Sequence, residues 1–227
     1  MTFLRFLPMP GILLSGVLAG AVVPVFGKDK VEIKVLCFPR MEEKSTIDLM
    51  IGKRKVIEIP LQGHEFTLPR KVTRQAKWRF GKSNVNSKGK FTFDTWATAT
   101  PLAADKQLLV FVRRGPDNRD GFEVIPINPA TINGSSYLFL NLTPSAVAGV
   151  VGGRKFRLTS GRSIVIKPQP DRGENLCFTS LRYYRDKNWR PFFSSNWRLR
   201  KKCRCLIFIY QPNGQKTPRI HSVIDPL

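Results

Sequence analysis

The sequence predicts an all-β protein: two tandem β-sandwich domains behind an N-terminal signal peptide. Three observations carry that reading. Short runs rich in Val, Ile, Phe, Leu and Thr recur along the chain, punctuated by Gly, Pro and Asn at roughly 8–12-residue spacing. No window sustains a 3.6-residue apolar period over three turns. A set of segments also recurs in the same order about 100 residues apart.

The leader comes first. Residues 1–27 carry one positive charge, Arg5, run apolar from Phe6 to Phe26, and end on Gly27 before Lys28-Asp-Lys30. A basic start, an apolar core and a small residue at the cut are the layout of a secretory signal peptide. Its core, Gly11 to Val23, is shorter than the roughly 20 apolar residues a spanning helix needs. Cleavage fits after Gly27, with Val25 at −3, or after Ala21. A retained anchor is the competing reading. No later stretch is apolar and long enough to span a bilayer, so no transmembrane segment is expected in the mature chain. The mature protein is expected to be exported to the periplasm, the cell surface or the medium.

The first repeat is assigned to residues 30–129. Val31, Ile33, Val35 and Cys37 alternate with Glu32, Lys34 and Leu36, the pattern of a half-buried strand. Ser45 to Lys55 reads as a strand, a Gly turn and a basic pair opening the next strand. Phe91 to Trp96, Leu108 to Val112 and Val124 to Asn128 follow, and a short turn of helix fits Pro101 to Asp105. Asn128 to Ser135, rich in turn formers, is the linker. The second repeat, 135–227, returns these segments as Ser145 to Lys155, Pro191 to Trp197, Cys205 to Ile209 and His221 to Asp225, at offsets of about 97 to 101. Trp96 is thereby matched with Trp197. Leu206 to Ile209 is apolar on both faces, like a strand packed on both sides.

Four cysteines, Cys37, Cys177, Cys203 and Cys205, are an even count in a chain read as exported, which points to disulfides. Cys203 and Cys205 lie two apart, share a strand face and are poorly placed to bond each other. That leaves Cys177 bonded to one of them, with Cys37 free or paired to the other. No Cys-x-x-Cys is present, so neither a metal site nor a cofactor is expected.

Four short strings carry a resemblance. They are Val35-Leu-Cys-Phe-Pro-Arg40, Asn141-Leu-Thr-Pro-Ser145, Trp189-Arg-Pro-Phe-Phe-Ser-Ser-Asn-Trp197 and Pro218-Arg-Ile-His-Ser-Val-Ile-Asp225. Behind a leader, they resemble an uncharacterised family of secreted bacterial proteins with duplicated β-domains. The resemblance implies export and architecture, and it offers no catalytic residue. More distantly, each unit is similar to immunoglobulin- or transthyretin-like sandwiches, a likeness that conveys no function.

Catalytic constellations are scarce. The only histidines, His64 and His221, fall one in each copy, so a triad using both would have to form across the copies. No Gly-x-Ser-x-Gly is present. Glu42-Glu43 reads as a solvated loop beside Lys44, and Asp117 to Gly121 as a plain turn lacking a calcium loop's closing glutamate. Gly152-Gly153 with Arg154-Lys155 lacks the P-loop spacing and reads as a hairpin turn.

What remains is charge. The formal charge is +22. Residues 28–134 carry 20 Lys and Arg against 12 Asp and Glu, and residues 135–227 carry 17 against 4. The densest part holds Arg182, Arg185, Lys187, Arg190, Arg198, Arg200, Lys201, Lys202 and Arg204, with Tyr183, Tyr184, Trp189, Phe192, Phe193 and Trp197 among them. Were 197–205 a strand, Arg198, Arg200, Lys202 and Arg204 would share one face. The first copy has its own basic run, including Arg74, Lys77 and Arg79 around Trp78 and Phe80. Such surfaces attract polyanions. Arg binds phosphate, sulfate and carboxylate alike, so anionic envelope polymers, glycan or lipid headgroup, are the expected partners, ahead of nucleic acid. The plain alternative is a sandwich core of aromatics with cations facing solvent. The sequence therefore predicts a non-enzymatic binding or structural protein of the envelope. The alternative is an adaptor for a protein partner, and third comes a hydrolase with an unrecognised site.

Overall fold

The computed structural model describes residues 30–39, 45–113, 122–170 and 175–227. The leader, the Glu42-Glu43 loop and the Asp117 to Gly121 turn lie outside the described residues. The first copy supplies β1 (Lys30–Phe38), β2 (Thr46–Met50), β3 (Val56–Pro60), β4 (Arg70–Thr73), β5 (Trp78–Val85), β6 (Phe91–Ala99), β7 (Lys106–Arg113) and β8 (Phe122–Ile127). The second supplies β9 (Tyr137–Asn141), β10 (Val147–Val151), β11 (Arg154–Leu158), β12 (Ser163–Ile166), β13 (Leu176–Arg185), β14 (Asn188–Arg198), β15 (Cys203–Tyr210) and β16 (Arg219–Pro226).

These strands form four four-stranded sheets, ordered β4-β1-β7-β8, β3-β2-β5-β6, β12-β9-β15-β16 and β11-β10-β13-β14. Adding eight to every strand number of the first copy reproduces the second. The correspondence extends to direction: β1–β7 and β9–β15 are parallel, and the other pairs are antiparallel. The chain is thus all-β, with two similar β-domains. Two expectations need correction. Pro101 to Asp105 forms no helix, because side chains take its carbonyls: Gln107 Nε2 donates to Leu102 O at 2.9 Å and Ala104 O at 3.0 Å, and Arg74 reaches the same two oxygens. Residues 197–205 are not one strand, since β14 ends at Arg198 and a turn at 201–202 precedes β15.

The finer alignment of the repeats also shifts. An offset of 97 would match Leu108 with Cys205, yet Leu108 faces the contact between the copies and Cys205 the second copy's own core. In a strand a one-residue slip reverses every side chain, so the equivalence moves by one. The bulge in each second sheet corrects the tryptophan match. It falls at Phe80/Gly81 in the first copy and at Leu181/Arg182 in the second. The unpaired residue opposite is Trp96 in one and Phe192 in the other, so Trp96 corresponds to Phe192 and not to Trp197.

Three apolar clusters hold the layers. One lies inside the first copy, where Val35, Leu109 and Phe111 meet Ile47, Leu49, Trp78 and Phe80. A second lies inside the second copy, around Phe139, Ile207, Val147 and Leu181. The third joins the copies: Leu36, Phe38, Leu108 and Val110 pack against Leu138, Leu140, Leu206 and Phe208. The sheets containing β1 and β9 therefore meet back to back, giving four layers. Their central strands are buried on both faces, which is why Leu108 to Val112 and Leu206 to Ile209 are unbroken apolar runs. Phe38 stacks on Phe208 with ring centroids 4.7 Å apart. At the rim, buried Asp225 accepts from Lys34 of the first copy and from Arg204, each at 2.8 Å, and Arg204 Nε donates to Pro129 O in the linker at 3.1 Å.

Candidate functional site

With the inner sheets docked, each copy keeps one outer sheet face open. Strand alternation decides which side chains reach it. In β13, Cys177, Thr179, Leu181 and Tyr183 are buried, so Phe178, Ser180, Arg182 and Tyr184 point outward. In β11, Phe156 and Leu158 are buried, and Lys155 and Arg157 point outward. Ala148 of β10 is in register with both Arg157 and Arg182. Those two arginines stand two strand spacings apart, about 9.6 Å at Cα, astride a methyl group. Lys155 occupies the next outward position along β11, in the row of Val150, Ser180 and Ser194.

Trp189 completes the cluster. It is in register with Tyr184, their ring centroids are 5.2 Å apart, and the Arg157 guanidinium lies 5.5 Å from the Trp189 ring centroid. A cation over an aromatic face is attracted by the ring quadrupole, which positions the Arg157 fork without an acidic partner. Phe178 lies at the other end of the face, 48% exposed. It is six residues from Tyr184, so the platform is about 20 Å long. Among the described residues of the second copy the acids are Asp186 and Asp225. Asp225 is buried at the rim between the copies, and Asp186 sits in the β13–β14 turn holding Arg190 at 3.0 Å and Arg185 at 3.5 Å. Among the described residues the platform carries no acid.

The expected cationic residues divide accordingly. Arg182 belongs to the platform, and Arg198, at the end of β14, is exposed on the same face in register with Leu176. Arg185 and Arg190 are partly neutralised by Asp186, and Arg185 Nη1 also donates to Lys216 O at 3.2 Å. Arg200 and Lys202 are exposed in the turn after β14, so they do not continue the row of Arg198. Arg204 is committed to Asp225 and Pro129 and is not a surface cation. In the first copy Arg74 is buried against Leu102, Ala104 and Asp105. Lys77 is exposed, and Arg79 lies over the Phe93 ring at 5.4 Å and against Met50. Sequence reasoning missed Arg157 and Phe178. Period-two readings of 154–158 and 176–185 would have placed both beside Arg182.

None of the four cysteines is joined in a disulfide, contrary to expectation. Cys37 belongs to the first copy's core, and Cys177 and Cys205 to the second's, which separates Cys37 from the expected partners. Burial pushes the Cys37 thiol up to about 12 and raises that of Cys205 as well. The two histidines, distant in sequence, approach each other across the copies. His221 lies 5.4 Å from the Phe38 ring, and burial, with His64 as a lesser cause, lowers its pKa. Its Nε2 is buried without a hydrogen-bond partner.

An open cleft of about 640 Å³ beside β11 and β12 is lined by Arg154, Lys155 and Lys167 together with Pro168 and Gln169. It adds cations next to the platform, and among the described residues its lining holds neither a histidine nor a carboxylate. Among the described residues no three His, Cys, Asp or Glu side chains converge as metal ligands, and no helix is long and apolar enough to cross a membrane. No protein-family model matches the chain, and none of the curated proteins compared with it is significantly similar.

Proposed function

We propose that this chain is a non-enzymatic, exported binding protein of the cell envelope. Its second copy contacts anionic polymers, glycan or lipid headgroup, through the outer face of the β11-β10-β13-β14 sheet. The observation that carries the reading is the cluster of Lys155, Arg157 and Arg182 with Tyr184 and Trp189 on one sheet face, where the described residues place no acid. Cations released from their counterions supply salt-dependent affinity, and the aromatic planes supply apolar contact. Export rests on the leader-like residues 1–27. The sandwich type we favour is transthyretin-like rather than immunoglobulin-like. The support is the pair of sheets ordered fourth-first-seventh-eighth and third-second-fifth-sixth, with the first and seventh strands parallel.

Retention on immobilised heparin and on lipopolysaccharide tests the reading. The double variant Arg157→Glu, Arg182→Glu should elute at markedly lower salt than the native protein, and Lys77→Glu, Arg79→Glu should shift elution less. Elution unchanged by the first pair sinks the proposal.

A further inference from the structure

The two copies differ at one edge, and the difference does not depend on polyanion binding. In the first copy the edge strand β6 packs against β8, which closes that corner of the sandwich. The equivalent strands β14 and β16 make no comparable approach. Strand β14 is also the longest strand, 11 residues, and it forms the edge of its sheet. Among the described residues no backbone–backbone hydrogen bond outside its ladder with β13 engages residues 188–198, and Tyr137 Oη donates to the Arg198 carbonyl at the far end at 3.1 Å. An edge of this kind presents unpaired N–H and C=O groups and is a template for another strand.

Proteins blunt such edges with prolines, bulges and charges. On β14 these devices gather at one end. Arg190 and Pro191 precede the bulge at Phe192, and Pro191 has no N–H to offer. The remaining stretch, Phe193-Ser-Ser-Asn-Trp-Arg198, has no proline and a single charge at its end. Six residues is the length of an ordinary strand partner. Phe193 and Trp197 point toward the core yet remain only partly buried, at the margin of the second copy's cluster. A strand added along this edge would complete their burial.

We propose that Phe193–Arg198 accepts an acidic extended polypeptide segment as a fifth strand of the β11-β10-β13-β14 sheet. Charge selects the occupant. Arg198, Arg200, Lys201 and Lys202 stand at one end of the stretch, while Arg190 at the other is held by Asp186, so carboxylates on the incoming strand gain opposite-charge neighbours at the Arg198 end. A second copy of this chain would bring the same cations against them. Main-chain pairing supplies the affinity in this mode, and alternate side chains supply selectivity.

The test uses the full chain and a soluble (Val-Glu)4 peptide, with two controls: the same peptide N-methylated at every residue, so that neither edge keeps an N–H donor, and (Val-Lys)4. Hydrogen exchange at residues 193–198 and Trp197 fluorescence are read during titration. The proposal expects protection confined to that stretch, a blue shift of Trp197, and at least tenfold weaker binding of both controls. Unprotected amides at 193–198 overturn it. So does equal binding of the N-methylated peptide, which shows that backbone pairing is not involved, or equal binding of (Val-Lys)4. Concentration-dependent dimers that exclude the peptide also overturn it, assigning the edge to a second copy. Loss of heparin retention in the Arg157, Arg182 variant with peptide binding intact would separate this inference from the polyanion reading.

Discussion

Asp225→Asn is the sharpest probe of how the two copies are joined. The carboxylate is 1% exposed and receives Lys34 Nζ and Arg204 Nη1 at 2.8 Å each, while those side chains are 26% and 19% exposed. Removing one partner of a buried ion pair costs about 3–5 kcal/mol, because a charge is left without compensation. Here the stranded charges are the two cations, and their partial exposure lets both turn toward water. The expected loss is therefore about 2–3 kcal/mol, below that range. The amide keeps the carboxylate's shape, so the loss reports charge and not packing. Urea unfolding followed by tryptophan fluorescence measures it, since Trp78 and Trp96 report the first copy and Trp189 and Trp197 the second. Lys34→Met should cost less in the Asp225→Asn background than in the native protein. The cycle should give a coupling of about 1–2 kcal/mol. Native-like stability of Asp225→Asn, within about 0.5 kcal/mol, would refute the claim that this triad fastens one copy to the other.

Two further outcomes concern titration of buried groups. The His221 pKa is lowered by burial first and by His64 second, so the folded state holds the neutral imidazole more firmly than the unfolded chain does. Its contribution is present above the unfolded value near 6.5 and is lost as pH falls through the folded value. The groups facing it across the copies are His64 and the Phe38 ring, with Phe208 on its own sheet, so there is no carboxylate among these neighbours to hold the imidazolium. His221→Gln should flatten the acid limb of a stability–pH curve, and an unchanged slope would remove His221 from the account. The Cys37 thiol behaves oppositely. Its folded value of about 12 lies above the unfolded 9.0, so its contribution is complete below pH 9 and declines as pH rises toward 12. The decline reaches up to about 4 kcal/mol, at 1.36 kcal/mol per pKa unit. Cys37→Ala should show a shallower alkaline limb in urea unfolding, and the native thiol should resist alkylation at pH 8. Rapid alkylation of Cys37 in the folded protein would contradict its burial.

How much of this was legible in the sequence depends on the kind of information. Strand positions and the duplication were legible because apolar period and turn residues are local, and Leu206 to Ile209 announced a strand buried on both faces. The register between copies was not. A gap of one residue is invisible in short, degenerate apolar strings, yet it decides whether Leu108 corresponds to a residue of the inner core or of the junction. The basic surface was half legible. The density of 182–204 fell on the β13–β14 hairpin and the turn into β15, but density ignores pairing. Arg204 is taken by Asp225, which lies 21 positions away, and Arg74 by carbonyls about 30 positions on. Arg157 was passed over because its neighbour on the platform, Ala148, belongs to a different strand. Its stacking partner Trp189 is 32 positions away in sequence.

The duplicated units show where the chain diverged, because the topology gives every strand an internal control. The inner sheets are constrained on both faces by the junction, and their strands match closely in character. The outer sheets carry no such constraint, and there the copies differ twice. On the first, Asp48 and Glu58 share a face with Arg79, whose guanidinium is occupied by Phe93 and Met50. On the second, Arg157 and Arg182 stand on a face where the described residues place no acid. The first outer sheet also ends on an edge closed by β8, and the second on the open β14. Solubility alone would be served by cations scattered over either copy. Among the described residues, cations without an acid, exposed aromatics and an edge strand paired on one side gather on the one sheet, which supports the proposal that the first copy and the junction serve as scaffold. In that division, which belongs to the proposed function, the β11-β10-β13-β14 sheet would be the surface presented to a partner.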